Sequence, residues 1–173
     1  MLMNFQQLIR QRESIRSYDT RPVENDKLHR ILQAGHLAPS ACNRQPWTLY
    51  LISKPENLKL MHQCYSGAWL YDAPHILLAA GQRNAAWTRK ADGYNSLETD
   101  LTIAMDHMIL AATAEGVGTC WIANFDPEKL KQSGLLKTDE IVFALTPLGY
   151  PAKETDSGKQ KIRNDLSEMV VYL

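Results

Sequence analysis

Two short runs place basic residues at alternate positions. "RQRESIR" over residues 10–16 carries Arg12, Ser14 and Arg16 with Glu13 between them, and "KQKIR" over 159–163 carries Lys159, Lys161 and Arg163. Alternate side chains of an extended segment share one face, so each run could aim two cations the same way. A guanidinium presents a planar fork of donors that matches phosphate oxygens. Taken alone, the first run also reads as a solvated helix end and the second as a lysine-guarded edge strand. Set at opposite ends of a chain with 19 Lys+Arg and 19 Asp+Glu, they carry more weight together. If they converge, they bracket one anion.

A third stretch, "APSACNRQPW" over 38–47, follows Ala38 with Pro39, Ser40, Ala41, Cys42 and Asn43. A flat aromatic ligand could lie against side chains this small, its ring-edge atoms meeting backbone N–H groups and the Asn43 amide. Pro39, Asn43 and Pro46 would also serve an ordinary turn, which leaves the Ser-Ala-Cys run unexplained. The fourth stretch, "GVGTCWIANFD" over 116–126, runs through Trp121, Ile122, Ala123 and Asn124 to a strand-to-helix corner where backbone N–H groups are free. Without GxGxxG or GK[ST] it is not a phosphate loop. The histidines (29, 36, 62, 75 and 107) have no metal-ligand spacing. With no GxSxG and no base assigned to Cys42, no side chain is named as a catalytic group.

The elements that position these stretches follow from periodicity. Phe5, Leu8 and Ile9 predict a helix over 4–12. Leu28, Ile31, Leu32 and Gly35 predict an amphipathic helix over 24–38, with Asn25 or Asp26 as N-cap and Pro39 at its end. "TLYLIS" (48–53) reads as a strand, Lys54-Pro55 as a helix start, and "HILLAA" (75–80) as a buried strand. Residues 82–97, with Trp87, Arg89 and Lys90, have no clean period and form a long loop that could cover a site. A long helix follows from Ser96, with an imperfect capping box, to Gly116 and Gly118. Its face of Leu101, Ala104, Met105, Met108, Ala111 and Ala112 is small enough to pack against a second copy of itself. "TCWIA" (119–123) reads as a short strand, Asp126-Pro127 as a helix start and "EIVFALTPLG" (140–149) as a strand. Helices and strands mix without strict alternation, which predicts an α+β fold.

Composition narrows the field. A formal net charge of zero argues against nucleic-acid and membrane-surface partners. Cys42, Cys64 and Cys120 are an odd set without CxxC spacing and suit a reducing compartment. No signal peptide or membrane span is read, so the expected location is the cytoplasm.

In their order along the chain, "RESIRSY", "APSACNRQPW", "GVGTCWIANFD", "LGYPA" and "KIRNDLSEMV" resemble the nitroreductase family of FMN-dependent flavoproteins, in a compact form. The resemblance implies one FMN-binding domain over residues 1–173. Its fold would be α+β, with a central mixed, mainly antiparallel sheet flanked by helices, in an intertwined homodimer with FMN at the interface. It implies that Arg12, Glu13, Ser14 and Arg16 bind the phosphate and ribityl end, with Lys161 and Arg163 closing on the phosphate. Pro39, Ser40, Ala41 and Asn43 would reach the flavin from the other subunit. Trp121, Ile122, Ala123 and Asn124 would lie by its reactive edge, with a backbone N–H aimed at N5. Longer members have an acidic residue and a glycine where this chain has Ala123 and Asn124, so no carboxylate is expected beside N5. The implied activity is ping-pong hydride transfer from NADH or NADPH, through flavin N5, to a nitroaromatic, a quinone or a similar acceptor. Arg16 would stabilise the reduced ring. Dehalogenation, dehydrogenation or flavin fragmentation on the same fold, and a non-catalytic flavin carrier or sensor, remain open alternatives.

Overall fold

His75–Gly81 is buried from end to end and the other elements are arranged around it. The structure, a computed structural model, describes residues 3–152 and 161–173; Lys159 lies outside the described residues. In chain order the elements are α1 (Phe5–Gln11), α2 (Asn25–His36), β1 (Trp47–Ile52), α3 (Pro55–Cys64), β2 (His75–Gly81), α4 (Leu97–Ala114), α5 (Pro127–Gln132), β3 (Ile141–Leu148) and α6 (Leu166–Met169).

The strands form a sheet in the order β1-β2-β3. Both ladders are antiparallel, with Trp47 opposite Gly81 and Ile52 opposite Ile76 on one side of β2, and His75 opposite Leu148 and Gly81 opposite Ile141 on the other. A single-residue parallel bridge, Ser14 to Thr119, makes the pairing mixed. The expected α+β, mainly antiparallel architecture is therefore the one observed. Because side chains of a strand alternate, Leu77 and Ala79 pack with Ile31, Leu101, Met105 and Met108 of α2 and α4. Ile76 and Leu78 face the other way, toward Met61, Leu70 and Leu130.

Several local expectations need correction. The N-cap of α2 is Glu24 rather than Asn25 or Asp26. Ser96 is the N-cap of α4 but makes no capping hydrogen bond, because its hydroxyl is turned to Asp100 instead. Residues 119–123 form no continuous strand: Thr119 borrows a bridge from Ser14, and Ile122 one from Leu145. The small face of α4 does not await a second copy, since Ala104, Met108 and Ala112 are fully buried within this chain. Gly35 of α2 comes so close that a Cβ there would stand 2.7 Å from Met108 Sδ. The exposed apolar surface lies elsewhere. Phe5 and Ile9 of α1, and Ile162, Leu166, Met169, Val171 and Tyr172 of the C-terminal segment, are exposed in the single chain. Among the described residues, no helix is long and apolar enough to cross a membrane.

Candidate functional site

The segment after α1 is held extended by bonds at both ends. Ile15 N–H donates to Thr119 O (2.8 Å) and Asp19 N–H to Tyr150 O (2.8 Å). The buried Tyr18 hydroxyl donates to Ile15 O (2.7 Å). Ile15 turns inward against Gly118, where a Cβ would meet Ile15 Cγ1 at 2.9 Å. Alternation then turns Ser14 and Arg16 outward, and both are exposed, while Arg12 and Glu13 are half-buried. Arg12 is the C-cap of α1, its N–H donating to Leu8 O.

The second basic run meets the first at the end of α1. Lys161 Nζ donates to Ile9 O (2.7 Å). Burial, followed by repulsion from Arg12 and Arg163, pushes the Lys161 ammonium below the ordinary lysine value, with Glu13 pulling the other way. None of the ion pairs between described residues uses Arg12, Arg16, Lys161 or Arg163. Among the described residues these cations are crowded and form no ion pair, an arrangement that an anion would relieve.

Next to the first basic run lies Cys120, a buried free thiol. Burial pushes its thiol up, while Arg16, Ser14 and Arg12 pull it back. The Ser14 bridge to Thr119, the neighbour of Cys120, sets the first basic run beside this buried thiol. Only the adjacency of Cys120 to Gly118 and Thr119 hinted at this in the sequence.

Residues 39–45 form a second, separate feature. Ala41–Asn43 is a single 3-10 turn, with Cys42 (φ 51°), Asn43 (φ 53°) and Gln45 (φ 47°) in the left-handed region that non-glycine residues seldom enter. Its ties are Ala41 N–H to Asp100 Oδ1 (2.9 Å) and Gln45 N–H to Ser40 Oγ (2.9 Å). Pro39 and Asn43 are exposed, and Ser40 and Ala41 half-buried. Asp100 was not singled out in the sequence, where it reads only as an acidic residue of a first turn.

The predicted 121–124 contacts separate by type. Trp121 is an aromatic of the core edge, set edge-to-face against Phe143 at a centroid distance of 6.3 Å. The Ile122 side chain is buried and its N–H donates to Leu145 O (2.9 Å), so neither is free for a ligand. Ala123 and Asn124 are exposed, and their N–H groups take no acceptor among the described residues. Asn124 also borders a groove of ≈ 360 Å³ with Tyr65, Phe125 and Lys129.

The basic cluster and the 39–45 turn are far apart within one chain. The turn is tied to the first turn of α4, and the cluster packs on residues 118–120, just past its last turn. With 18 residues, α4 is about 27 Å long at 1.5 Å per residue. Sheet register agrees, since Trp47 pairs with Gly81 at one end of β2, while His75 pairs with Leu148, next to Gly149 and Gly118, at the other.

Comparison with known proteins places this geometry. A family model described as "Nitroreductase family" matches residues 9–65 and 55–150. The FMN reductase (NAD(P)H) of Bacillus subtilis is 30% identical over 178 residues, covering 92% of this chain and 71% of the relative. A solved nitroreductase family protein of Clostridium difficile superposes with a TM-score of 0.90 at 34% identity, covering 98% of both chains. A chain from Desulfovibrio desulfuricans, solved in complex with FMN, superposes with a TM-score of 0.80 at 28% identity, covering 99% of this chain and 98% of that one.

Proposed function

The chain belongs to the nitroreductase family, and from that premise we propose that it is an FMN-dependent NAD(P)H oxidoreductase whose flavin is held between two copies of the chain. The observation that carries this reading is the cluster of Arg12, Arg16, Lys161 and Arg163, none of which forms an ion pair among the described residues. FMN ends in a dianionic phosphate, and these donors are the kind that bind one. Arg12, Lys161 and Arg163 would hold the phosphate and Ser14 the adjoining hydroxyls, with Glu13 setting the local charge beside Lys161. Arg16, exposed beyond the inward-turned Ile15, would stand toward the ring.

Pro39, Ser40, Ala41 and Asn43 would meet the ring from the second copy, because they lie at the opposite end of α4 from the basic cluster. The exposed apolar C-terminal segment gives that copy a surface to cover. Ala123 and Asn124 would offer the N–H groups beside the reactive edge, while Trp121 and Ile122 support them from the core. Bound FMN supplies the hydride chemistry, with NADH or NADPH as donor and a nitroaromatic, a quinone or a similar compound as acceptor. The residues present orient the cofactor, neutralise its phosphate and offer backbone donors without a side-chain acid.

The test begins with absorbance of the purified protein and uptake of added FMN. Bound flavin should bleach when NADH or NADPH is added without oxygen, and recover when an acceptor is supplied. A protein that stays colourless and takes up no FMN contradicts the reading. Arg12→Ala and Arg163→Ala should each weaken FMN binding about tenfold or more, the scale of a lost charge-assisted hydrogen bond. Riboflavin binding, which lacks the phosphate, should hardly change. Equal losses for both ligands would remove the phosphate assignment.

A further inference from the structure

We propose that Asp100 is a positioning residue for the flavin-facing turn, its buried carboxylate holding residues 40–45 in a shape they would not keep alone. The inference rests on reading 39–43 as the ring-facing segment, but its structural basis is independent of any ligand.

Asp100 is 1% exposed and Ser96 2% exposed. Asp100 Oδ1 accepts from Ala41 N–H (2.9 Å) and Oδ2 from the Ser96 hydroxyl (2.7 Å). Ser96 Oγ in turn accepts from Trp87 N–H (3.2 Å). One carboxylate thus ties the 38–47 stretch to the start of α4 and, through Ser96, to the irregular 82–97 loop. None of the ion pairs between described residues uses Asp100. Burying a carboxylate without a cation is costly, and the positive end of α4 offsets only part of that cost. An apolar residue would fill the space more cheaply but would leave the Ala41 N–H and the Ser96 hydroxyl without an acceptor.

The turn needs such a restraint. Cys42, Asn43 and Gln45 are all left-handed and none is glycine. Backbone of this kind persists where its surroundings over-determine it. Asp100 fixes the front of the turn through Ala41, and the Ser40 hydroxyl fixes the back through the Gln45 N–H. With the Asp100 tie removed, only bonds internal to the turn, Gln45 N–H to Ser40 Oγ and Gln45 Nε2 to Asn43, oppose a return of residues 42–45 to right-handed or extended backbone, which would carry Ser40, Ala41 and Asn43 with them.

The test uses Asp100→Ala, Asp100→Asn and Ala41→Pro. Asparagine can accept from Ala41 through its oxygen and donate to Ser96 Oγ through its amide, so it should rescue. Proline at 41 removes the N–H that Asp100 binds and sets its ring Cδ against the carboxylate, which breaks the tie from the turn's side, and the extended Ser40 backbone (φ −139°, ψ 158°) accommodates a following proline. In flavin-free protein, hydrogen exchange over 42–45 should quicken about tenfold in Asp100→Ala and Ala41→Pro, stay near wild type in Asp100→Asn, and be unchanged over 12–19 in all three. FMN and riboflavin affinities should fall together, about tenfold, in Asp100→Ala, and by less than threefold in Asp100→Asn. Ala41→Pro carries the test if Asp100→Ala does not fold. Wild-type exchange over 42–45 in a folded Asp100→Ala or Ala41→Pro protein overturns the proposal. So does an Asp100→Asn protein as impaired as Asp100→Ala. A wild-type protein that takes up no flavin contradicts the functional reading alone, and the exchange measurement still decides the role of Asp100.

Discussion

Replacing Gly118 with alanine should disable the basic cluster without touching a charged residue. The new Cβ would stand 2.9 Å from Ile15 Cγ1 and 3.1 Å from both Cβ and Cγ2. Comfortable carbon contacts are about 3.5–4.0 Å, so Ile15 must retreat by roughly half an ångström. It cannot retreat by rotating its side chain, because its own Cβ is among the atoms struck. Ile15 is 7% exposed, its N–H is bonded to Thr119 O and its carbonyl accepts from Tyr18. The backbone must therefore shift and take Ser14 and Arg16 with it. Overpacking of this kind costs about 1–3 kcal/mol of stability. A displaced donor pair should also weaken FMN binding about tenfold, or about 1.4 kcal/mol. Gly116→Ala is the comparison: φ is +71° there and nothing lies within 4 Å of its Cβ position, so it should cost about 1 kcal/mol in backbone strain and displace nothing. Thermal unfolding of the flavin-free proteins and FMN fluorescence titration separate the two effects. The reasoning is refuted if Gly118→Ala loses stability but binds FMN within twofold of wild type, or if Gly116→Ala weakens binding equally.

Two further predictions concern stability. His75 is buried and neutral, its Nε2 accepting from Val23 N–H (3.2 Å) and its Nδ1 within 2.7 Å of Ser53 Oγ. Burial holds it below the ordinary histidine value of 6.5, so on acidification the unfolded chain takes up a proton that the folded chain refuses. Stability should be level above about pH 7 and decline below about 6.5 until the folded pKa is reached; burial shifts His62 in the same direction. Melting temperature followed from pH 7.5 to 5.5 should show a shallower decline in His75→Gln, and an unaltered slope would contradict the assignment. Asp126 caps α5, its Oδ1 accepting from Glu128 N–H (3.1 Å) and Lys129 N–H (3.0 Å). Asp126→Ala should cost about 1 kcal/mol, a drop of about 2–4 °C, while Asp126→Asn keeps most of the cap; equal losses in both would point to the charge rather than the acceptor.

What the sequence disclosed was whatever local pattern decides. The apolar spacing of α2, the unbroken apolar run of β2 and the Asp-Pro start of α5 each emerge from a few neighbouring residues. The alternation of Arg12, Ser14 and Arg16 was also local, and the structure brings that run together with Lys161. What stayed hidden depends on distant partners. Residues 119–123 look like a strand because Thr119, Trp121 and Ile122 are of strand-favouring types, but their bridges go singly to residues 14 and 145. The apolar face of α4 shows how much surface must be covered, not that α2 covers it, and Gly35 gives up its side chain for that approach. The exposed Phe5, Ile9 and C-terminal segment show that apolar residues at helical or strand spacing need not find a partner within their own chain. Asp100 was indistinguishable from a routine first-turn acid until its two acceptor bonds were seen.

Subunit mixing tests the central claim, that each site takes its basic half from one chain and its ring-facing turn from the other. One variant carries Arg12→Ala with Arg163→Ala; the other carries Ala41→Trp, whose bulk blocks the turn. Each expressed alone should retain no flavin. Co-expressed, a mixed dimer joins the intact cluster of the second chain to the intact turn of the first, giving one working site. Random pairing should then restore about a quarter of the wild-type flavin content. Mixed dimers that assemble but bind no flavin would show that each site is built within a single chain, and would contradict the account.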